Sequence, residues 1–402
     1  MVEKIVLHIG ATKTGTSAIQ SAMVQNRAAL LAQGILVPES RREDKAEEGR
    51  VTGGNCRPIH KFSSKYAAAP NAAARELTQA LDELFSESSA RTVLFSSEAL
   101  GAYDADVLAS LKKVLSKYCD RFQIVYYVRH LADHANSQYS EKVKRRQFAR
   151  SLHQYCRRYK APFKTCVQTY EAVFGADAVN CVLYDDVRDR LWRHFLELIG
   201  ADYEGVDEPL VVNRSLSVEE IDALRAINRL GHNRVLVAQA VEDFTFRVSH
   251  ENPRSVPISK LSIEAIRKKN QDTIDFINER LSGYSPIGVA SEKLLARVVD
   301  EKVKDDPTLD ADVIFALLDS SLRVMDRRIA DQRALKQAVR EISAHLGKAS
   351  DESGLLRVPG KAKAHLQKAI AKLEAASAAI GEGNGDSDDS DPDDEDFDED
   401  RP

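Results

Sequence analysis

Read for polarity alone, the first half of the chain alternates between two patterns. Short, nearly unbroken apolar runs occur at KIVLHIG (4–10), RTVLFSSEAL (91–100), RFQIVYYVRH (121–130) and AVNCVLYDDV (178–187). Runs of this length and composition predict buried strands, the third with the strongest β propensity. Between them, apolar residues recur at helical spacing. Ile19, Met23, Leu30 and Leu31 mark a helix over 16–34, which Gly34 stops. Further helices are predicted over 71–86, 104–118 and 190–200, and 131–160 reads as one long basic helical stretch. Residues 38–66, with GGNCRP inside, read as a polar, irregular loop. Strands alternating with helices predict an α/β fold of three layers, a mostly parallel sheet covered on both faces.

Past Val212 the strand pattern fades. The core is expected to span 1–215. Residues 216–345 read as a helical extension completing the domain. A helical segment or linker occupies 346–384, with an amphipathic helix near 359–379, and 385–402 reads as a disordered acidic tail. From Asp386 onward eleven acidic residues face one Arg, a local charge of −10. The whole chain carries −5, so the remainder is +5. The tail would keep the protein soluble or screen a basic surface. The 402 residues, 43% of them hydrophobic, are enough for a large core. No apolar stretch reaches membrane-spanning length, and MVEKIVLHIG lacks the form of a signal peptide. Cys56, Cys119, Cys156, Cys166 and Cys181 have neither metal-ligand nor redox-motif spacing, as expected of reduced cysteines in a cytoplasmic protein.

Candidate chemistry begins at the first strand-to-helix turn. LHIGATKTGTSAIQ (7–20) has the glycine spacing of the nucleotide-triphosphate loop G-x-x-x-x-G-K-[ST], with Gly10, Gly15 and Ser17 in place. Thr16 stands where the lysine belongs, and Lys13 lies inside the loop instead. The backbone N–H groups opening the next helix still face an anion. The displaced ammonium suits the oxygen beside a single 5′-phosphate better than the distal phosphates of ATP. Apart from Glu98, no acidic partner for magnesium follows a strand. Both departures argue against an ordinary kinase or ATPase.

KTGTS behind a strand resembles the 5′-phosphosulfate loop of sulfotransferases that use 3′-phosphoadenosine 5′-phosphosulfate (PAPS). A second motif, IVYYVRHLADHANSQYSEKVK, resembles that family's 3′-phosphate site: Arg129 at the end of a strand, and Ser137 eight residues on. Arg offers a planar fork of donors to a phosphate dianion, Ser adds a hydroxyl, and a helix N-terminus would support both. The ordinary alternative is a surface Arg and a helix-surface Ser. CVLYDDVRDRLWRHFLELIG is a weaker likeness, read as structural. VVNRSLS (211–217) resembles a polar segment that closes on the nucleotide in bacterial members. Asn213, Arg214 and Ser215 would then touch the 3′-phosphate. The same residues also read as the approach to a helix capped by Ser217 and Glu220.

The resemblance covers 1 to about 215 and implies a PAPS-dependent sulfotransferase. Lys13, Thr14, Gly15, Thr16 and Ser17 would hold the 5′-phosphosulfate, with no metal, and 3′,5′-adenosine bisphosphate would be released. Lys13 would stabilise the leaving phosphate. The acceptor implied is a hydroxyl or amine, of a carbohydrate or glycolipid precursor. Many members place a catalytic His after the preceding strand; here LFSSEAL offers Glu98, which burial could make a better base. A Glu at a helix start is the plain alternative. His60 is a reserve base, carried on the irregular loop, and His8 reads as a core residue. Eight Lys or Arg between 142 and 160 would steer an anionic donor or form a solvated helix face. Tyr155 and Tyr159 lie among them, but no nucleic-acid motif matches. Two rivals remain: a P-loop kinase or nucleotidase using ATP–Mg, and a non-catalytic nucleotide-binding scaffold. Oligomeric state is not legible.

Overall fold

A computed structural model of the chain describes residues 2–39, 54–86, 89–207, 216–229 and 256–299, with 239, 241 and 244 besides. Asn213, Arg214 and Ser215, the 346–384 segment and the 385–402 tail lie outside the described residues. Residues 1–234 and 245–314 form one compact unit. A second unit, 235–244 with 315–402, falls almost wholly outside the described residues.

The chain opens with β1 (Lys4–His8), whose last four residues are all buried, as a strand covered on both faces requires. It turns through the glycine loop into α1 (Thr16–Gln25), followed after Asn26 by α2 (Arg27–Ala32) and the short β2 (Ile35–Leu36). The single helix expected over 16–34 is thus two. The Asn26 side chain donates to Ala22 O and to Asp207 O, giving the break a partner on each side.

The next segment departs most from expectation. Residues 57–66 are not irregular but form α3 (Arg57–Tyr66), with Pro in its first turn and Ile59 and Phe62 buried. Two apolar residues three apart are enough to seat a short helix, but too few to show as periodicity in a polar window. GGNCRP ahead of it is also fixed. Asn55 acts as one rung of sheet: its side chain donates to Leu94 O (2.9 Å) and accepts from Ser96 N (2.8 Å), while its own N–H donates to Ser96 O (3.2 Å). Gly54 has φ +81°, and a Cβ there would stand 2.0 Å from Ser96 O. Gly54→Ala is therefore expected to cost about 2–4 kcal/mol, since a left-handed φ and a backbone clash combine. Chemical denaturation checks this; a loss under about 0.5 kcal/mol would mean the contact is not as described.

α4 (Pro70–Ser86) leads to β3 (Thr92–Ser96), and α5 (Ala105–Leu115), capped by Asp104, leads to β4 (Phe122–Val128). The basic stretch expected as one helix is α6 (Leu131–Arg145) and α7 (Leu152–Cys156). Gln147 at φ 53° breaks the first, and a Ser151/Gln154 capping box starts the second. α8 (Phe163–Phe174), which the polarity pattern did not announce, precedes β5 (Val179–Leu183). Then come α9 (Tyr184–Val187) and α10 (Leu191–Ile199), which ends at Gly200 with φ 74°. Beyond 215 lie α11 (Val218–Arg229), α12 (Lys260–Asn278) and α13 (Glu292–Leu295). The Ser217–Glu220 box starting α11 is formed: Ser217 N donates to Glu220 Oε2 (2.8 Å) and Glu220 N to Ser217 Oγ (3.3 Å).

The five strands form one parallel sheet in the order β2–β3–β1–β4–β5. One face buries Val6, Leu94, Val125 and Val182 against Ile19 and Met23 of α1 and Trp192, Phe195 and Ile199 of α10. Because β3 and β4 flank β1, the residues just past Ser96, His8 and Val128 emerge side by side at the carboxyl edge, where open α/β sheets place ligands. Among the described residues no helix is long and apolar enough to cross a membrane.

Candidate functional site

The loop between β1 and α1 is held by its own side chains. Thr14 Oγ1 donates to Ala11 O at 2.6 Å and Thr16 Oγ1 to the same carbonyl at 3.4 Å; both residues are buried. These two hydroxyls tie the turn to the carbonyl of Ala11. Gly15, the residue before α1, has φ 80°, and a Cβ there would meet Leu191 at 2.3 Å. Lys13 itself takes a left-handed φ of 66°, and its side chain is one-third exposed. Ser17, in the first turn of α1, is half-buried.

One face of α6 lies along this loop. Ser137 Oγ accepts from Arg129 Nη1 (2.9 Å), Gln138 Nε2 donates to Thr12 Oγ1 (3.0 Å), and Glu141 Oε2 accepts from Lys13 Nζ (2.6 Å). Arg145 pairs with the other oxygen of Glu141 at 2.5 Å. Positions 137, 141 and 145 form one helical stripe, with 138 on the row beside it. The sequence motif marks only Ser137; helical spacing continued from it marks Glu141 and Arg145.

Arg129, one residue past β4, stands between the loop and this stripe. Its Nη1 also donates to Lys13 O at 3.3 Å, so the guanidinium touches both halves of the predicted pocket. Asp185 Oδ1 lies 3.7 Å from Arg129 Nε, and the guanidinium sits 5.5 Å from the Tyr184 ring centroid. The YDD stretch after β5, read as structural, therefore supplies the residues that aim Arg129. Its signal was adjacency: β5 pairs with β4, register Val128 to Leu183, so the segments leaving the two strands emerge together.

The helix N-terminus behind Arg129 differs from expectation. Leu131 N and Ala132 N donate to Gly288 O (3.2 Å) and Val289 O (2.6 Å), and Gly288 N donates to His130 Nδ1 (2.9 Å). The first donors of α6 are thus taken by the carbonyls of Gly288 and Val289, so these N–H groups do not face the loop as the expected helix-end support.

Glu98 lies two residues past β3, in a short 3-10 turn, and is half-buried. Burial pushes its carboxyl up to about 7; Lys13 opposes the rise, Glu141 adds to it, and a hydrogen bond from Thr16 and the charge of Arg145 oppose it. Glu98, Lys13, Glu141 and Arg145 thus share one electrostatic neighbourhood. For Glu141 burial also pushes upward, but Lys13 and Arg145 outweigh it and hold the carboxyl below its usual range.

α3 sets His60 against Ser97, the residue before Glu98, with both ring nitrogens engaged: Nε2 with Ser97 Oγ (2.9 Å) and Nδ1 with Tyr103 OH (2.6 Å). Burial lowers its pKa. His8 is fully buried, with Nδ1 2.8 Å from Ser96 Oγ, and burial lowers it to about 3, so it stays neutral in the core. In the basic stretch, Tyr155 and Tyr159 are buried, their hydroxyls on Gln138 (2.9 Å) and His134 (2.6 Å). They brace the loop-facing helix and are not placed to stack on bases.

No family profile matches the chain, and no curated protein sequence matches it. Among solved structures it is similar to a sulfotransferase from Alicyclobacillus acidocaldarius, at 17% identity and TM-score 0.33, over 60% of this chain and 96% of that one. It is also similar to the sulfotransferase domain from the curacin biosynthetic pathway, at 10% identity and TM-score 0.33, over 67% and 98%. The fold is an α/β architecture with a five-stranded parallel sheet, consistent with a P-loop fold.

Proposed function

We infer that this chain is a sulfotransferase that moves the sulfuryl group of PAPS to an acceptor hydroxyl or amine and releases 3′,5′-adenosine bisphosphate. One observation carries the reading: a single guanidinium, Arg129, bonds both Ser137 and the carbonyl of Lys13, so two anion-binding ends meet within the span of one nucleotide. Lys13 and the loop N–H groups hold the 5′ end; Arg129 and Ser137, with Asp185 and Tyr184 fixing the guanidinium, hold the 3′-phosphate.

In the transfer the bond from sulfur to the phosphate oxygen breaks as the acceptor oxygen or nitrogen bonds to sulfur. Lys13 neutralises the charge gathering on the departing phosphate. Glu98 takes the acceptor's proton; a carboxyl raised to about 7 is a stronger base than a free one and is still ionised at slightly alkaline pH. His60 orients Ser97 beside it. Asn213, Arg214 and Ser215 would add to the 3′-phosphate contacts. A carbohydrate or glycolipid acceptor rests on the resemblance alone. The five unpaired, buried cysteines fit a reducing compartment.

Calorimetry with 3′,5′-adenosine bisphosphate and with ATP–Mg separates this reading from its rivals. The bisphosphate is expected to bind at least about tenfold tighter, as one additional charge-assisted phosphate contact warrants. Tight ATP–Mg binding with indifference to the bisphosphate would instead make this a kinase or nucleotidase.

A further inference from the structure

The ammonium that the proposed mechanism needs is already engaged. Lys13 Nζ lies 2.6 Å from Glu141 Oε2, and Arg145 holds the other carboxylate oxygen at 2.5 Å. Glu141 stands one helical turn beyond Ser137, on the face of α6 that lines the loop. Its carboxylate is an anion of the same class as the ligand Lys13 is placed to meet, tethered to the wall of the site. Lys13 and Glu141 keep about a third of their side-chain surface exposed, so an incoming anion has access to the pair. Arg145 gives Glu141 somewhere to stay when Lys13 leaves it: the carboxylate keeps one cation and need not be stranded.

We propose that Glu141 is an intramolecular competitor for Lys13, a displaceable carboxylate that sets the affinity and selectivity of the 5′ end of the site. A ligand that uses Lys13 must first break this pair. A ligand held only by Arg129 and Ser137 need not. The competition lowers affinity for every small anion that engages Lys13 alone, and leaves useful occupancy to a ligand gripped at the second end as well. Glu141 therefore acts as a positioning and selectivity residue, and it touches no reacting atom. The ligand's identity as a 3′,5′-nucleotide rests on the function proposed above; the competition itself rests only on the pair.

The test is a double-mutant cycle read by calorimetry, with inorganic pyrophosphate and 3′,5′-adenosine bisphosphate as probes for Lys13, adenosine 3′-monophosphate as the probe that bypasses it, and adenosine 5′-monophosphate as the reference that lacks the 3′-phosphate. Glu141→Gln keeps shape and removes the charge. It is expected to strengthen both Lys13 probes about three- to fivefold, the size of a partly exposed ion pair, and to leave the 3′-monophosphate within about 1.5-fold. In a Lys13→Ala background the gain should vanish. An equal gain in that background, or for the 3′-monophosphate, would make Glu141 a bystander acting through long-range charge, and no gain for either Lys13 probe would overturn the proposal. If pyrophosphate shows the gain while the bisphosphate binds no better than adenosine 5′-monophosphate, the competition stands and the PAPS reading falls.

Discussion

Replacing Lys13 by alanine is expected to lower single-turnover sulfuryl transfer by about 100–1,000-fold, the range seen when one pre-set donor to a developing charge is removed. The fold should survive. Lys and Ala pay the same steric cost at the φ of 66° found there, and the lost ion pair with Glu141 is partly exposed and worth at most about 1 kcal/mol. Affinity for the product bisphosphate should fall as well, because that product carries in full the charge that gathers on the leaving phosphate in the transition state. A rate loss below tenfold at saturating PAPS would remove Lys13 from the chemistry.

Glu98→Gln has the second large effect, a turnover loss of about 100–10,000-fold with donor affinity retained, as expected for removal of a positioned base. The wild-type rate should rise with pH through about 7, where Glu98 ionises, and level off above it. A stability measurement checks the raised carboxyl itself. Burial raises the folded-state value from 4.5 to about 7, so ionisation opposes folding between those limits. Below 4.5 the two proteins should melt alike. As pH rises toward 7, the wild type should lose stability relative to Glu98→Gln, and the gap should stay constant above. Unchanged turnover in the Gln variant would hand the role to another group, His60 first.

Legibility in the sequence depends on where the signals lie. The strands around β1, β3, β4 and β5 announce themselves because buried parallel strands are continuous apolar runs, and the loop motif because glycines at fixed offsets leave few alternatives. β2 did not, since a two-residue edge strand has no pattern. α3 was hidden because two buried residues, Ile59 and Phe62, anchor it, and Asn55 replaces a strand with one side chain. At the site, Arg129 and Ser137 were visible as a spaced pair. Tyr184 and Asp185 were not, because their meeting with Arg129 depends on β4–β5 register, which polarity alone does not give. Glu141 needed the orientation of α6 over the loop. The use of the α6 N-terminus by residues 288–289 joins segments about 157 positions apart, beyond any local pattern.

The central claim is that one pocket grips a nucleotide at both ends, and a matrix of affinities tests it directly: adenosine 5′-monophosphate, adenosine 3′-monophosphate and 3′,5′-adenosine bisphosphate, each against wild type, Lys13→Ala and Arg129→Gln. The bisphosphate should bind tightest to wild type. Arg129→Gln should weaken it and the 3′-monophosphate by about 10–100-fold, the worth of a charge-assisted contact, and spare the 5′-monophosphate. Lys13→Ala should spare only the 3′-monophosphate. A bisphosphate bound no better than the 5′-monophosphate, or two variants that weaken the same ligands equally, would contradict the account.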